Sequence, residues 1–249
     1  MDNLGSSMKS LTRSLLLALA LTTGAWVPVQ AQTFEQSFAA YERKDYRTAF
    51  AGFKKLAEQG HDSAQTNLGL MYANGQGVPK DEQQAVAWYR KAAEQGNATA
   101  QFNLGLMYRT GQGVPKDEQQ AAAWYRKAAE QGHASALNNL GFMYGNGQGV
   151  PKDAQQAAVW YRKAAEQGDD GAQNNLGLMY ANGRGVPKDE QSAYFWWLLA
   201  SAQGNQGAVK MRDIVERILS PEQRAAAEAS ARDWKPKTAA QSSEVPGGK

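Results

Sequence analysis

The chain is expected to form an all-α solenoid of helix-loop-helix hairpins, and three observations carry that expectation. A block of 36 residues recurs four times between His61 and Gly204, with Asn-Leu-Gly beginning at Asn67, Asn103, Asn139 and Asn175. Each block also holds two stretches of apolar residues at helical spacing, parted by a turn that ends in Gly-Val-Pro from Gly77, Gly113, Gly149 and Gly185. The copies are close, since the first two share 29 of 36 residues. A fixed period of this size marks an array in which each unit buries its apolar face only against its neighbours.

The first 31 residues are expected to lie outside the folded body. Lys9 and Arg13 form a basic start, Leu15 to Leu21 an apolar centre, and Val29-Gln30-Ala31 a small-residue cleavage site. That order is a secretory signal peptide, with cleavage near Ala31. Thr22-Thr23-Gly24 and Pro28 cut the apolar run well short of the roughly 20 residues that span a bilayer. A chain begun at Met8 would still carry the complete signal. The expected location is therefore the periplasm or the outside of the cell, with no stable membrane insertion once the signal is removed.

Composition narrows the function classes. The chain has no cysteine, so an exported form must hold together by packing alone. Removing Lys9, Arg13 and Asp2 with the signal lowers the formal charge from +3 to +2. The remaining charges alternate in sign, which gives no reason to expect nucleic acid as a partner.

Within the first copy, Ala64, Leu68, Gly69 and Tyr72 fall along one helical stripe. The helix should stop near Asn74, because Gly75 and Gly77 admit left-handed backbone angles and Pro79 cannot continue a helix. Asp81 should cap a second helix, with Gln84 returning the bond of a capping box. Ala85, Trp88, Tyr89, Ala92 and Ala93 give that helix its apolar set, and Gly96 closes it. Gly69 and its copies Gly105, Gly141 and Gly177 lie inside the first helix, where glycine costs about 1 kcal/mol relative to alanine. Close helix approach, with Ala92 and Ala93 opposite, explains them better than a phosphate loop, since no strand precedes them and no Gly-Lys-Ser/Thr follows.

These residues resemble the Sel1-like repeat family, a relative of the tetratricopeptide repeats. The matching pattern is Ala64, Asn67-Leu68-Gly69, Met71-Tyr72, Gly75, Gly77-Val78, Asp81, Ala85 and Trp88 through Gly96. It covers 61–204 fully and reaches back to about Asp45. The resemblance implies a right-handed superhelical α-solenoid that scaffolds protein complexes, often in bacterial envelopes.

The organisation then reads as a signal peptide (1–31), a capping partial repeat (32–60), repeats at 61–96, 97–132, 133–168 and 169–204, capping helices (205–234) and a disordered tail (235–249). Phe34, Phe38 and Tyr41 suit one face of a starter helix. In the fourth repeat Trp197-Leu198-Leu199 replaces Tyr161-Arg162-Lys163 of its predecessor, so Gly207–Leu219 and Pro221–Trp234 are expected to cover newly apolar positions. Ser220-Pro221 is a strong helix start.

Catalytic and metal-binding constellations are not found. His61 and His133 both open a repeat, two repeats apart, which puts them roughly 20 Å apart if each helix layer adds about 10 Å. Asp81, Asp117, Asp153 and Asp189 read as helix caps. No cofactor fingerprint is present, so no enzyme activity is expected.

The positions that vary between copies are the candidate contact surface. On each first helix the sixth, tenth and thirteenth places should fall opposite the apolar stripe. The sixth is Thr66, Phe102, Asn138 and Asn174; the tenth is Leu70, Leu106, Phe142 and Leu178; the thirteenth is Ala73, Arg109, Gly145 and Ala181. In related solenoids the first helices line the concave wall. Thr66, Phe102, Leu106, Arg109, Asn138, Phe142 and Asn174 are therefore the expected residues of a groove for a protein or peptide partner. Two alternatives remain open. Cysteine-rich secreted Sel1-like proteins have been associated with envelope hydrolase or β-lactam-binding activity, although this chain lacks their cysteine pairs. A module binding cell-wall glycan is the other.

Overall fold

The computed structural model describes residues 33–238. The expected signal peptide and residues 239–249 lie outside the described residues. Twelve helices and no strand occur among those described. They are α1 (Phe34–Glu42), α2 (Tyr46–Glu58), α3 (Asp62–Asn74), α4 (Glu82–Glu94), α5 (Ala98–Thr110), α6 (Glu118–Glu130), α7 (Ala134–Asn146), α8 (Ala154–Glu166), α9 (Asp170–Asn182), α10 (Glu190–Ala202), α11 (Gln206–Val215) and α12 (Pro221–Asp233). Successive pairs from α1/α2 to α9/α10 form hairpins, each packed on the next, and α11 and α12 both pack on α10. This is the expected solenoid of hairpins. No helix among the described residues is long and apolar enough to cross a membrane.

Each hairpin folds for local reasons. Gly75 ends α3 at φ +68°, a left-handed angle that a side chain would strain. The Asp81 side chain accepts from Gln84 N at 3.0 Å and starts α4. The expected capping box does not form there. Asp81 N already donates to Tyr72 O at 2.9 Å, so it has no proton left for the Gln84 side chain, and Asp117, Asp153 and Asp189 repeat the arrangement with Tyr108, Tyr144 and Tyr180. The first helices are capped by the residues that open each repeat. His61 Nδ1, Asn97 Oδ1, His133 Nδ1 and Asp169 Oδ1 accept from the amides three residues on, at 3.4, 2.9, 3.3 and 2.7 Å.

The glycine column does mark close approach, but its partner differs from expectation. A Cβ on Gly69 would lie 2.8 Å from the Tyr89 ring and 3.2 Å from Ala85 O. The ring of Tyr89, not Ala92 or Ala93, occupies the space. Tyr125 and Tyr161 repeat this, and in the fourth repeat the Trp197 indole would sit 2.6 Å from a Cβ on Gly177.

Two sets of bonds tie repeat to repeat. Arg90 donates to the Tyr108 hydroxyl at 2.7 Å, and Arg126 and Arg162 do the same to Tyr144 and Tyr180. The amides of Gln95, Gln131 and Gln203 donate to Gln65, Gln101 and Gln173 at 2.7, 2.8 and 2.9 Å. No further tyrosine follows the fourth repeat, which explains Leu198 in place of arginine. Leu198 packs with Trp197, Val215, Leu219 and Ala227 beneath α11 and α12. Leu199 is buried beside Trp196, with Ala231 and Trp234 packed against that cluster. At the other end, Phe34 and Tyr41 pack on the first core cluster, whereas Phe38 stays 41% exposed.

The segment expected as a disordered tail from Lys235 begins as a strap. Lys237 N donates to Glu166 O at 2.7 Å and its ammonium pairs with Glu166 at 3.1 Å.

Candidate partner groove along the first helices

The sixth-place column does not point away from the stack. Thr66 is buried and its hydroxyl donates to Asp62 O at 3.0 Å. Phe102 is half-buried between the rings of Tyr125 and His133, at centroid distances of 5.6 and 4.7 Å. Asn138 accepts from Asn175 Nδ2 at 3.3 Å. Asn174 gives its backbone carbonyl to Trp197 Nε1 at 3.2 Å, while its side-chain oxygen is buried without a donor. Phe102 and Asn138 bridge neighbouring repeats, and Thr66 and Asn174 are turned into their own hairpins. The physical reason is that a solenoid helix packs on its own partner and on the next repeat, so its buried arc is wider than a single stripe.

The tenth and thirteenth places behave differently. Phe142 is 41% exposed and Leu106 is half-buried. Arg109 lies with its guanidinium beside Tyr125, and its Nε is buried without an acceptor. At Gly145 the side chain is missing, and a Cβ there would meet only Ala157 Cβ at 3.6 Å.

A cavity of about 220 Å³ opens at that position, between α7 and α9. Ala157 and Tyr161 of α8 form its floor. Gly145 and Asn146 line one wall, and Asn175, Leu178 and Asn182 the other. Arg184 closes one end and donates to Gly145 O. Only Gly145 and Leu178 among these belong to the columns singled out from sequence. The asparagines at the seventh and fourteenth places were missed because they look invariant or loop-like. Arg184 carried a usable signal, since the other three repeats have Gln76, Gln112 and Gln148 at its place.

The electrostatics of the two neighbouring sites are matched by different means. Burial pushes the Tyr125 hydroxyl up to about 12, and the Arg109 charge pulls the other way. Burial pushes Tyr161 up to about 12 as well, opposed by Arg184. Each tyrosine thus stays protonated beside a guanidinium. The amides of Asn146, Asn175 and Asn182 each give one bond within the chain, to Phe142 O, Asn138 Oδ1 and Leu178 O, and each keeps a second N–H at the rim of an apolar floor. That arrangement suits a peptide backbone and one medium-sized side chain. The Asp81-type carboxylates sit at helix starts, and no group of three His, Cys, Asp or Glu side chains among the described residues is placed to hold a metal.

Comparison with protein families places this architecture. The Sel1 repeat model matches residues 39–61, 62–97, 98–133, 134–169 and 171–205. The chain belongs to the Sel1 repeat family. Its partial first repeat (39–61) counts as a fifth unit. The crystal structure of a protective antigen present in uropathogenic Escherichia coli strains, displaying an SLR fold, is 38% identical with a TM-score of 0.74. The match covers 84% of this chain and 46% of that one, so this chain spans under half of its length. A Sel1 repeat protein from Oxalobacter formigenes is 34% identical with a TM-score of 0.71, over 84% of this chain and 88% of that one. A search of curated proteins found no match. Sel1 repeat proteins are generally non-enzymatic scaffolds that mediate protein interactions.

Proposed function

We propose that this chain is an exported, non-enzymatic scaffold that holds an extended segment of a partner protein against its first helices. The observation that carries this reading is the α7/α9 cavity, where apolar floor and convergent donors meet. Phe142, exposed one turn before Gly145, supplies an aromatic edge for the same occupant. Arg109 fills the matching space one repeat earlier, so the occupant is directed to the third and fourth repeats. The sixth-place residues Thr66, Phe102, Asn138 and Asn174 support the groove from behind and do not touch the partner. Export rests on the N-terminal 31 residues, and places the partner in the periplasm or beyond.

Site-specific photo-cross-linking in intact cells tests both parts. A cross-linker at Phe142 should give a discrete adduct with a periplasmic or surface protein, and one at Val159, 47% exposed on α8, should not. Equal adducts from both positions would refute the groove. A chain that stays in the cytoplasm, or whose purified form does not begin near Gln32, would refute export.

A further inference from the structure

The side of the stack formed by the second helices carries another groove, repeated at each junction. One wall is the Ala-Glu-Gln-Gly end of a repeat. The other is the tryptophan and the last glutamine of the next. Three successive junctions differ in what fills them.

Between α4 and α6 the groove is closed by its own glutamine. Gln131 Nε2 donates to Gln101 Oε1 and to Gly96 O, both at 2.8 Å. Lys127 Nζ lies 4.0 Å from the Trp124 ring centroid. Between α8 and α10 the strap closes it. Lys237 is tied to Glu166 through backbone and side chain, and Pro236 and Trp234 lie 3.6 and 3.9 Å from where a Gly168 Cβ would stand. Between α6 and α8 neither device is present. Leu137 stands where Gln65, Gln101 and Gln173 stand in the other repeats, so Gln167 has lost its ladder partner. Gln167 Nε2 and Trp160 Nε1 are both buried with no acceptor. Lys163 Nζ lies 5.2 Å from the Trp160 centroid, further out than its counterparts. A cavity of about 170 Å³ remains, lined by Leu137, Trp160, Lys163 and Gln167 and by Glu130 and Gly132. Glu130 is the counterpart of Glu166, which bonds the strap, and Gly132 the counterpart of Gly168, which the strap crosses.

We propose that this cavity docks an extended peptide segment of a partner protein with the chemistry of the strap: an aromatic side chain and, three residues later, a lysine. Glu130 receives the lysine as Glu166 receives Lys237. Leu137 and Trp160 take the apolar side chain. Peptide carbonyls satisfy the two orphaned N–H groups, which in a buried setting require an acceptor. The chain's own strap is committed one junction along, so the segment comes from elsewhere. This surface is separate from the α7/α9 cavity on the first helices, and neither proposal depends on the other.

The probe is a labelled acetyl-Trp-Lys-Pro-Lys-Thr peptide, titrated into a chain covering residues 32–249. Saturable anisotropy change is expected, with a shift of the Trp160 indole N–H resonance. Leu137→Gln rebuilds the glutamine ladder of the other repeats, so it should fold normally and weaken binding by at least about tenfold. Glu130→Gln should weaken it by about threefold to tenfold, with a shallower salt dependence. Absence of binding at millimolar peptide, or equal binding by Leu137→Gln, would overturn the proposal. So would binding that appears only after removal of 239–249, which would make the chain's own end the occupant. Concentration-dependent dimerisation abolished by Leu137→Gln would assign the site to a second copy instead, and also overturn it.

Discussion

The second and third repeats have the same skeleton and differ in what they leave open. The second carries Gln101, Phe102 and Arg109; the third carries Leu137, Asn138 and Gly145 at the same places. In the second, Arg109 lies beside Tyr125 and Gln131 bonds across the junction, so both faces are filled by the chain itself. In the third, Gly145 leaves the α7/α9 cavity and Leu137 leaves the α6/α8 cavity. Invariant positions therefore set the stack, and a few exchanges set where it is receptive. A repeat protein can acquire a site by deleting a side chain from one copy, because the neighbours keep the frame.

The shared skeleton is the first thing to break. Gly113 and Gly149 each hold a left-handed angle, and a Cβ on them would run into the carbonyls of Glu82 and Glu118 in the preceding repeat. Gly113→Ala and Gly149→Ala should each cost about 3 kcal/mol, from about 1–2 for the angle and about 1–3 for overpacking. Urea midpoints should fall equally for the two. A much smaller loss in the third repeat would mean its loop is held differently and the comparison is unsound.

Next is the ladder. Gln101 Nε2 donates to Ala93 O at 3.1 Å while its oxygen accepts from Gln131, so Gln101→Leu strands buried groups at about 1–3 kcal/mol. Leu137→Gln should change stability by less than about 1 kcal/mol, because a regained hydrogen bond offsets lost apolar burial. Calorimetric melting of the pair measures the asymmetry, and equal and opposite effects would contradict it.

The smallest effect concerns pH. Burial holds the His133 imidazole below its usual range, where the second repeat has uncharged Asn97. Unfolded, the ring titrates near ~6.5. Below that value the unfolded chain binds more protons at this site, so His133 lowers stability as pH falls from ~6.5 towards the folded value. His133→Asn should flatten the melting temperature between pH 7 and pH 5, and an unchanged slope would show that the ring is not the source.

Much of the stack was legible in the sequence, and the reasons are specific. Gly75, Pro79 and Asp81 punctuate each hairpin by backbone chemistry alone, so boundaries followed from single residues. Leu198-Leu199 announced a covered end because charge had been exchanged for apolar surface. Contacts between repeats were the illegible part. The sixth-place residues lie opposite the stripe within one helix, yet Phe102 is wedged against His133 of the next repeat. The Gln84 capping box failed on a bond from Asp81 N to Tyr72 O, across the loop. Arg184 and Leu137 were visible as departures from the consensus, but only the bonds they make or omit showed that each borders a cavity.

The most direct measurement of the central claim, that the third repeat is the receptive one, is the Phe142 cross-link yield in a Gly145→Arg chain. That substitution copies Arg109 of the second repeat and should fill the α7/α9 cavity while helix content is kept. The expected result is loss of the adduct by about tenfold or more. An undiminished adduct from a folded Gly145→Arg chain would contradict the account.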